Sequence, residues 1–160
     1  MDISRTEYRQ EGEKMKLKAF IAAAILAAYA GILGAQEFSF DGNNGLGSWR
    51  ETKRIETKAG EDGLTLIHKG VDAKIYKQIR LEPGDYQLTV EGNALTVLVM
   101  KNWTKDGIIA KVKAPSGEKM VSSTGEFSVE KKQNIIFAIH PDPRAGVSSK
   151  VKFLKVEKQK

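Results

Sequence analysis

The segment KIYKQIRLEPGDYQLTVEG, residues 74–92, carries the periodicity that decides the fold. In its first half Ile75, Ile79 and Leu81 fall on one side and Tyr76, Gln78 and Arg80 on the other; in its second half Tyr86, Leu88 and Val90 share a side. Alternation with period two marks a half-buried strand, because successive side chains leave a pleated backbone on opposite faces. The intervening Glu82-Pro83-Gly84-Asp85 is turn chemistry. If that turn closes a plain hairpin, Tyr76 pairs near Glu91 and Gln78 near Thr89. If the chain instead crosses between two sheets, the inside/outside split survives and this pairing does not.

Working outward, similar runs occur at residues 49–57, 63–69, 94–103, 107–113, 125–130, 134–140 and 149–157, separated by GEDG, EGN, TKDG, PSGE and HPDPRAG. Short strands at fairly regular spacing, with turn residues and no helical segment between them, predict an antiparallel β-sandwich or barrel. The run at 94–103 is apolar on both sides in its middle, with Val97 and Val99 against Leu98 and Met100, so it is expected as a central strand. No internal repeat or low-complexity tract interrupts the pattern.

The first 35 residues read differently. From Met15 the chain runs MKLKAFIAAAILAAYAGILGAQ, with two lysines, an uncharged stretch from Ala19 to Gly34 and then small residues, the three-part layout of a secretory signal. Cleavage is expected after Ala35, with Ala28-Tyr29-Ala30 as another A-x-A site and Met15 as a candidate start. The alternative is an uncleaved anchor, for which the apolar run is a little shorter than the ~20 residues of a spanning helix. The expected organisation is therefore a signal peptide or membrane anchor over 1–35 and a β-sandwich domain over 36–160, in an exported protein that is periplasmic, envelope-associated or secreted.

Composition narrows the chemistry. The absence of cysteine excludes disulfides, thiolate metal sites and a cysteine nucleophile. Setting aside residues 1–35, which hold five Lys/Arg and four Asp/Glu, lowers the net charge only from +6 to +5. The lysines are spread along the chain and no nucleic-acid motif accompanies them, so no nucleic-acid partner is expected. A glycan or an anionic envelope polymer fits an exported basic protein better, and membrane contact is expected only through residues 19–35 if they are uncleaved. The two histidines, His68 and His140, show no metal spacing, and neither GxSxG nor a phosphate loop occurs. No catalytic residue and no cofactor is predicted.

The stretch FSFDGNNGLGSW (38–49), the Leu81-Glu82-Pro83-Gly84-Asp85-Tyr86-Gln87-Leu88-Thr89-Val90 segment and the closing run Val151 to Val156 together resemble the galactose-binding-like jelly rolls, in particular carbohydrate-binding modules of the cellulose- and xylan-binding kind. The resemblance covers nearly all of residues 36–160. It implies a jelly-roll β-sandwich that binds sugar without turning it over, and, in many such modules, a structural calcium between the first and last strands. Asp41 matches the first acidic ligand, but the closing strand places Leu154 and Lys155 where the family carries an Asp. An ammonium cannot ligate a cation that needs several oxygens, so no metal site is expected. Asp41-Gly42-Asn43-Asn44-Gly45 then reads as an Asx- and Gly-rich turn, and Trp49 as a core plug beneath it.

A sugar site needs an aromatic face for the C–H side of a pyranose and polar groups for its hydroxyls. Tyr76, Gln78 and Arg80, at i, i+2 and i+4, offer both on one outward face, and Gln87, Thr89 and Glu91 are outward on their own strand. Trp103, in Lys101-Asn102-Trp103-Thr104-Lys105, either caps the core, the placement expected of it, or stands at a rim as the largest aromatic platform, with Asn102 beside it. The candidate ligand-binding residues are therefore Tyr76, Gln78, Arg80, Asn102 and Trp103. The competing expectation is a structural or assembly module of the envelope that uses the same fold without a sugar site.

Overall fold

A computed structural model describes residues 34–42 and 45–160. The predicted signal or anchor segment lies outside these residues, apart from Gly34 and Ala35, as do Asn43 and Asn44 of the first turn. The elements in chain order are β1 (Ala35–Ser39), β2 (Arg50–Glu51), β3 (Ile55–Gly60), β4 (Gly63–His68), β5 (Ile75–Leu81), β6 (Gly84–Asn93), β7 (Leu95–Met100), a 3-10 turn (Lys105–Gly107), β8 (Ile108–Ala114), β9 (Val121–Val129), β10 (Gln133–Pro141) and β11 (Ser149–Lys158). They form two sheets. One has the order β3-β4-β11-β6-β9 with β1 added against β11, and the other the order β2-β5-β10-β7-β8. Every strand pairing in the two main ladders is antiparallel.

The core lies between the sheets and is built from the inward member of each alternation. Ile75, Ile79 and Leu81 of β5 are buried with Val97 and Val99 of β7 and Ile135, Phe137 and Ile139 of β10; Leu88 and Val90 of β6 and Leu154 and Val156 of β11 meet them from the other sheet. Removing this apolar surface from water drives the two sheets together.

The 82–85 turn does not make a hairpin. β5 and β6 belong to different sheets, so Tyr76 stands opposite Ala138 and Arg50 rather than Glu91, and Gln78 opposite Ile136 rather than Thr89. Gln87, Thr89 and Glu91 are outward, but on the opposite side of the molecule. The corner is set by Gly84, whose φ of 146° is in a region L side chains rarely adopt; a Cβ there would come within 2.4 Å of Lys158 Cε. The Tyr86 hydroxyl donates back to the Glu82 carbonyl at 2.9 Å and ties the corner to β6.

The run 49–57 was expected as one strand and is two. β2 pairs with β5, whereas β3 pairs with β4 in the other sheet. Thr52 anchors the crossing: its backbone N–H donates to the Lys74 carbonyl at 3.1 Å, and its hydroxyl donates to the Asp72 carbonyl at 2.9 Å and accepts from the Lys74 N–H at 3.2 Å. β7 is an interior strand between β10 and β8, as its two apolar faces predict.

The stretch 38–49 starts the fold. Phe40 is buried and its N–H donates to the Lys152 carbonyl at 2.8 Å, attaching the first strand to the last. Trp49 is a core plug, as expected: it is buried, edge-to-face with Phe38 at 5.7 Å and tilted on Phe40 at 5.4 Å. Its indole N–H has no hydrogen-bond partner among the described residues.

Candidate functional site

Register places the outward residues of the five-stranded sheet in rows. One row runs Arg50, Tyr76, Ala138, Leu98, Lys111; the next Gln78, Ile136, Met100, Ile108; Arg80 faces Asn134 at one end, and His140, Thr96 and Lys113 form a row at the other. The middle of this face is apolar, with Ala138, Ile136 and Met100 buried although they point away from the core. The rim is cationic. No Asp or Glu occupies any of these positions.

Trp103 lies over this face rather than in the core, contrary to the expected cap. It is 48% exposed and meets Tyr76 edge to face, with ring centroids 5.0 Å apart and planes at 89°. β7, which the Trp103 segment leaves, and β5, which carries Tyr76, are two strands apart, or about 10 Å; the ring contact therefore reaches across β10.

The loop holding Trp103 is pinched shut. The Lys101 N–H donates to the Gly107 carbonyl at 2.7 Å, closing the base, and the Gly107 N–H donates to the Thr104 carbonyl at 3.0 Å. Asn102 Oδ1 accepts from the Thr104 N–H at 3.0 Å and from its hydroxyl at 2.6 Å. A Cβ at Gly107 would lie 2.2 Å from that Asn102 oxygen, so only glycine fits beneath the turn. The buried Lys74 ammonium sits 5.2 Å from the Trp103 ring centroid and forms an ion pair with Asp72, adding a cation–π contact to the Tyr76 contact. An exposed aromatic restrained from two sides is preorganised, since little rotamer entropy remains to be lost on binding.

Beside the two rings is an open cleft of about 410 Å³ lined by Ser48, Arg50, Tyr76, Lys77, Gln78 and Trp103. Its size falls within the roughly 300–1,000 Å³ of small-molecule sites. Three of the predicted residues, Tyr76, Gln78 and Trp103, come together here. Arg80 shares the face but lies roughly 13 Å along the strand from Tyr76, at about 3.3 Å per residue, and does not line the cleft. Asn102 is engaged in the turn that carries Trp103.

Ser48, Arg50 and Lys77 were missed. Arg50 had a signal in the sequence: once Trp49 is the buried plug, its neighbour must turn outward. Lys77 had none. It shares the inward side with Ile75 and Ile79, but β2 pairs with β5 only opposite Ile75 and Tyr76, so the Lys77 ammonium emerges at the open edge. There it donates to the Ser48 hydroxyl and lies 5.1 Å from the Phe38 ring centroid. Among the described residues neither Arg50, Lys77 nor Arg80 has an ion-pair partner.

His140, on the same face, is half-buried, and burial holds its pKa below the ordinary value, helped by the nearby Lys74 charge and opposed by Asp72 and a hydrogen bond with the Ala73 backbone. At the far end of β10, Asp142 accepts from the guanidinium of Arg144 at 2.6 Å and from the Arg144 N–H at 2.9 Å, which holds its carboxyl well below the usual carboxylate range. This clasp organises the loop before β11. Among the described residues no group of three or more His, Cys, Asp or Glu side chains could hold a metal. Asp41 accepts from the Ser39 hydroxyl, while Leu154 is buried in the core and Lys155 pairs with Glu157 at 3.0 Å.

No family model and no curated protein matches the chain by sequence. Solved structures do match. The CBM22-1–GH10 modules of a Clostridium thermocellum endo-1,4-β-D-xylanase, complexed with xylohexaose, superpose with a TM-score of 0.56 at 15% identity over 78% of this chain, which spans only 28% of that one. The C-terminal CBM6 of a marine laminarinase from Zobellia galactanivorans gives 0.55 at 7% identity, with 78% of this chain and 100% of that chain covered. A carbohydrate-binding module of Cellvibrio mixtus lichenase 5A, in complex with cellotriose, gives 0.52 at 7% identity, with 78% and 98% covered. At such identities the likeness is one of fold, and the fold is the galactose-binding-like jelly roll of these carbohydrate-binding modules.

Proposed function

We propose that this chain is a non-catalytic binding module of an exported protein and that it binds carbohydrate in the cleft beside Tyr76 and Trp103. The observation that carries the reading is the half-exposed Trp103 ring, held against Tyr76 on a pinched loop and flanked by Gln78, Arg50 and Ser48. An indole face suits the apolar side of a pyranose, and the surrounding amide, guanidinium and hydroxyl suit its hydroxyls. The fold shared with modules solved in complex with xylohexaose and cellotriose supports it. The export part rests on the signal layout of residues 15–36, and sequencing of the processed protein should find Gln36 at its N-terminus.

An assembly module would call for a continuous apolar patch. The exposed large hydrophobics among the described residues, Val71, Trp103 and Ile108, sit on three different segments. A glycan array on the chain, followed by titration of each hit against Tyr76→Ala and Trp103→Ala, tests the proposal. Binding that is lost in both variants while their melting curves stay near the parent supports it; a wild type that binds no glycan refutes it.

A further inference from the structure

We infer, resting on the carbohydrate reading above, that the glycan is anionic: a chain of pyranose rings bearing carboxylate or sulfate. Arg50 and Lys77 both line the cleft beside the aromatic pair, no carboxylate lines it, and neither cation is neutralised by a partner among the described residues. The pattern extends over the whole outer face, where Arg80, Lys111 and Lys113 also point outward and no acidic residue does.

The nearby acids are accounted for. Glu51 adjoins Arg50 but stands opposite Ile75, on the other side of the strand, and accepts from the Thr57 hydroxyl at 3.0 Å. Asp72 is paired with the buried Lys74. Asp106 lies in the 3-10 turn, away from the cleft lining and next to Lys105. Unpaired cations grouped at one site repel one another and raise the local potential, a cost that an anionic ligand converts into attraction. The guanidinium adds a planar fork that matches a carboxylate or sulfate edge, while the indole ring supplies the stacking surface.

The test is a titration of the full chain with oligouronates (galacturonate, glucuronate and mannuronate) and with their methyl esters, which keep the ring and remove the charge. At least one acid should bind about tenfold more tightly than its ester, the gain of one or two charge-assisted hydrogen bonds. Raising salt from ~0.1 M to ~1 M, which shortens the screening length from about 10 Å to about 3 Å, should close most of that gap. Arg50→Gln with Lys77→Gln should also close it, by weakening the acid far more than the ester. Dextran sulfate set against dextran identifies sulfate as the preferred anion if it outbinds the uronates.

Acid and ester binding equally overturns this inference and leaves the carbohydrate reading intact. No saccharide of any charge binding overturns both. Retention on anionic vesicles, with no oligosaccharide bound and unchanged by Trp103→Ala, assigns the cationic face to a membrane surface and overturns this inference too.

Discussion

The two outer faces of the sandwich use the same residue types to opposite ends. On the six-stranded sheet most outward carboxylates have partners: Glu56 pairs with Lys58 at 3.2 Å and Lys69 at 2.9 Å, Glu91 with Lys152 at 3.5 Å, Glu157 with Lys155 at 3.0 Å, and Asp85 accepts from Ser128 at 2.6 Å. Salt and hydrogen bonds there are satisfied within the face, and it is an ordinary wet surface. On the five-stranded sheet Arg50, Lys77 and Arg80 have no ion-pair partner among the described residues, and two aromatic rings are held over the strands. Side chains engaged with one another are unavailable to a ligand; those left unpaired around a preorganised ring are available.

The largest effect should separate the two tryptophans. Trp49→Ala removes a buried plug that contacts Phe38 and Phe40 and should destabilise the domain by about 3–5 kcal/mol in urea unfolding. A small loss would mean that the first turn carries little of the fold. Trp103→Ala and Tyr76→Ala should instead cost about 1–3 kcal/mol of glycan affinity, by analogy with base–aromatic stacking. Their unfolding midpoints should stay close to that of the parent, and if they fall as far as that of Trp49→Ala the contrast between core and face collapses.

Acidification should expose the strain on His140. Its folded pKa lies below the unfolded value of about 6.5, so the unfolded chain binds the proton more readily and stability rises with pH through this window. Stability should be fully present above about pH 6.5 and decline as pH falls below it, and His140→Gln should flatten that decline. A slope unchanged in the variant would place the titrating group elsewhere.

Glu91→Gln and Glu56→Gln, on the paired face, should leave the unfolding midpoint close to that of the parent and glycan binding unaltered. A loss of affinity as large as that of Arg50→Gln would erase the distinction between the faces. Smallest of all, a calcium chelator should move the melting temperature by less than about 2 °C, because an ion at 100 times its dissociation constant contributes about 2.7 kcal/mol, several degrees in a domain of this size. A larger drop would show that Asp41 belongs to a metal site.

Period-two alternation in residues 74–92 determined the inner and outer side chains of β5 and β6, and turn residues marked most strand limits, because both are properties of the local backbone and its next neighbours. The burial of Trp49 and the two-sided apolar character of β7 were legible for the same reason. What the sequence could not decide was partnership. Whether Glu82-Pro83-Gly84-Asp85 closed a hairpin or turned a corner between sheets depended on which aliphatic faces could bury against each other, a contest among distant strands. The same contest split 49–57 between two sheets, brought Ser48 and Arg50 beside Tyr76 and released Lys77 at an open edge. Trp103 shows the limit most clearly. Its local sequence favoured a cap over a rim, and only the spacing of β7, β10 and β5, together with the Asn102–Thr104–Gly107 turn, carried the ring across the sheet to Tyr76. Alternation is set residue by residue, whereas a site built from three segments exists only once long-range packing has placed them together.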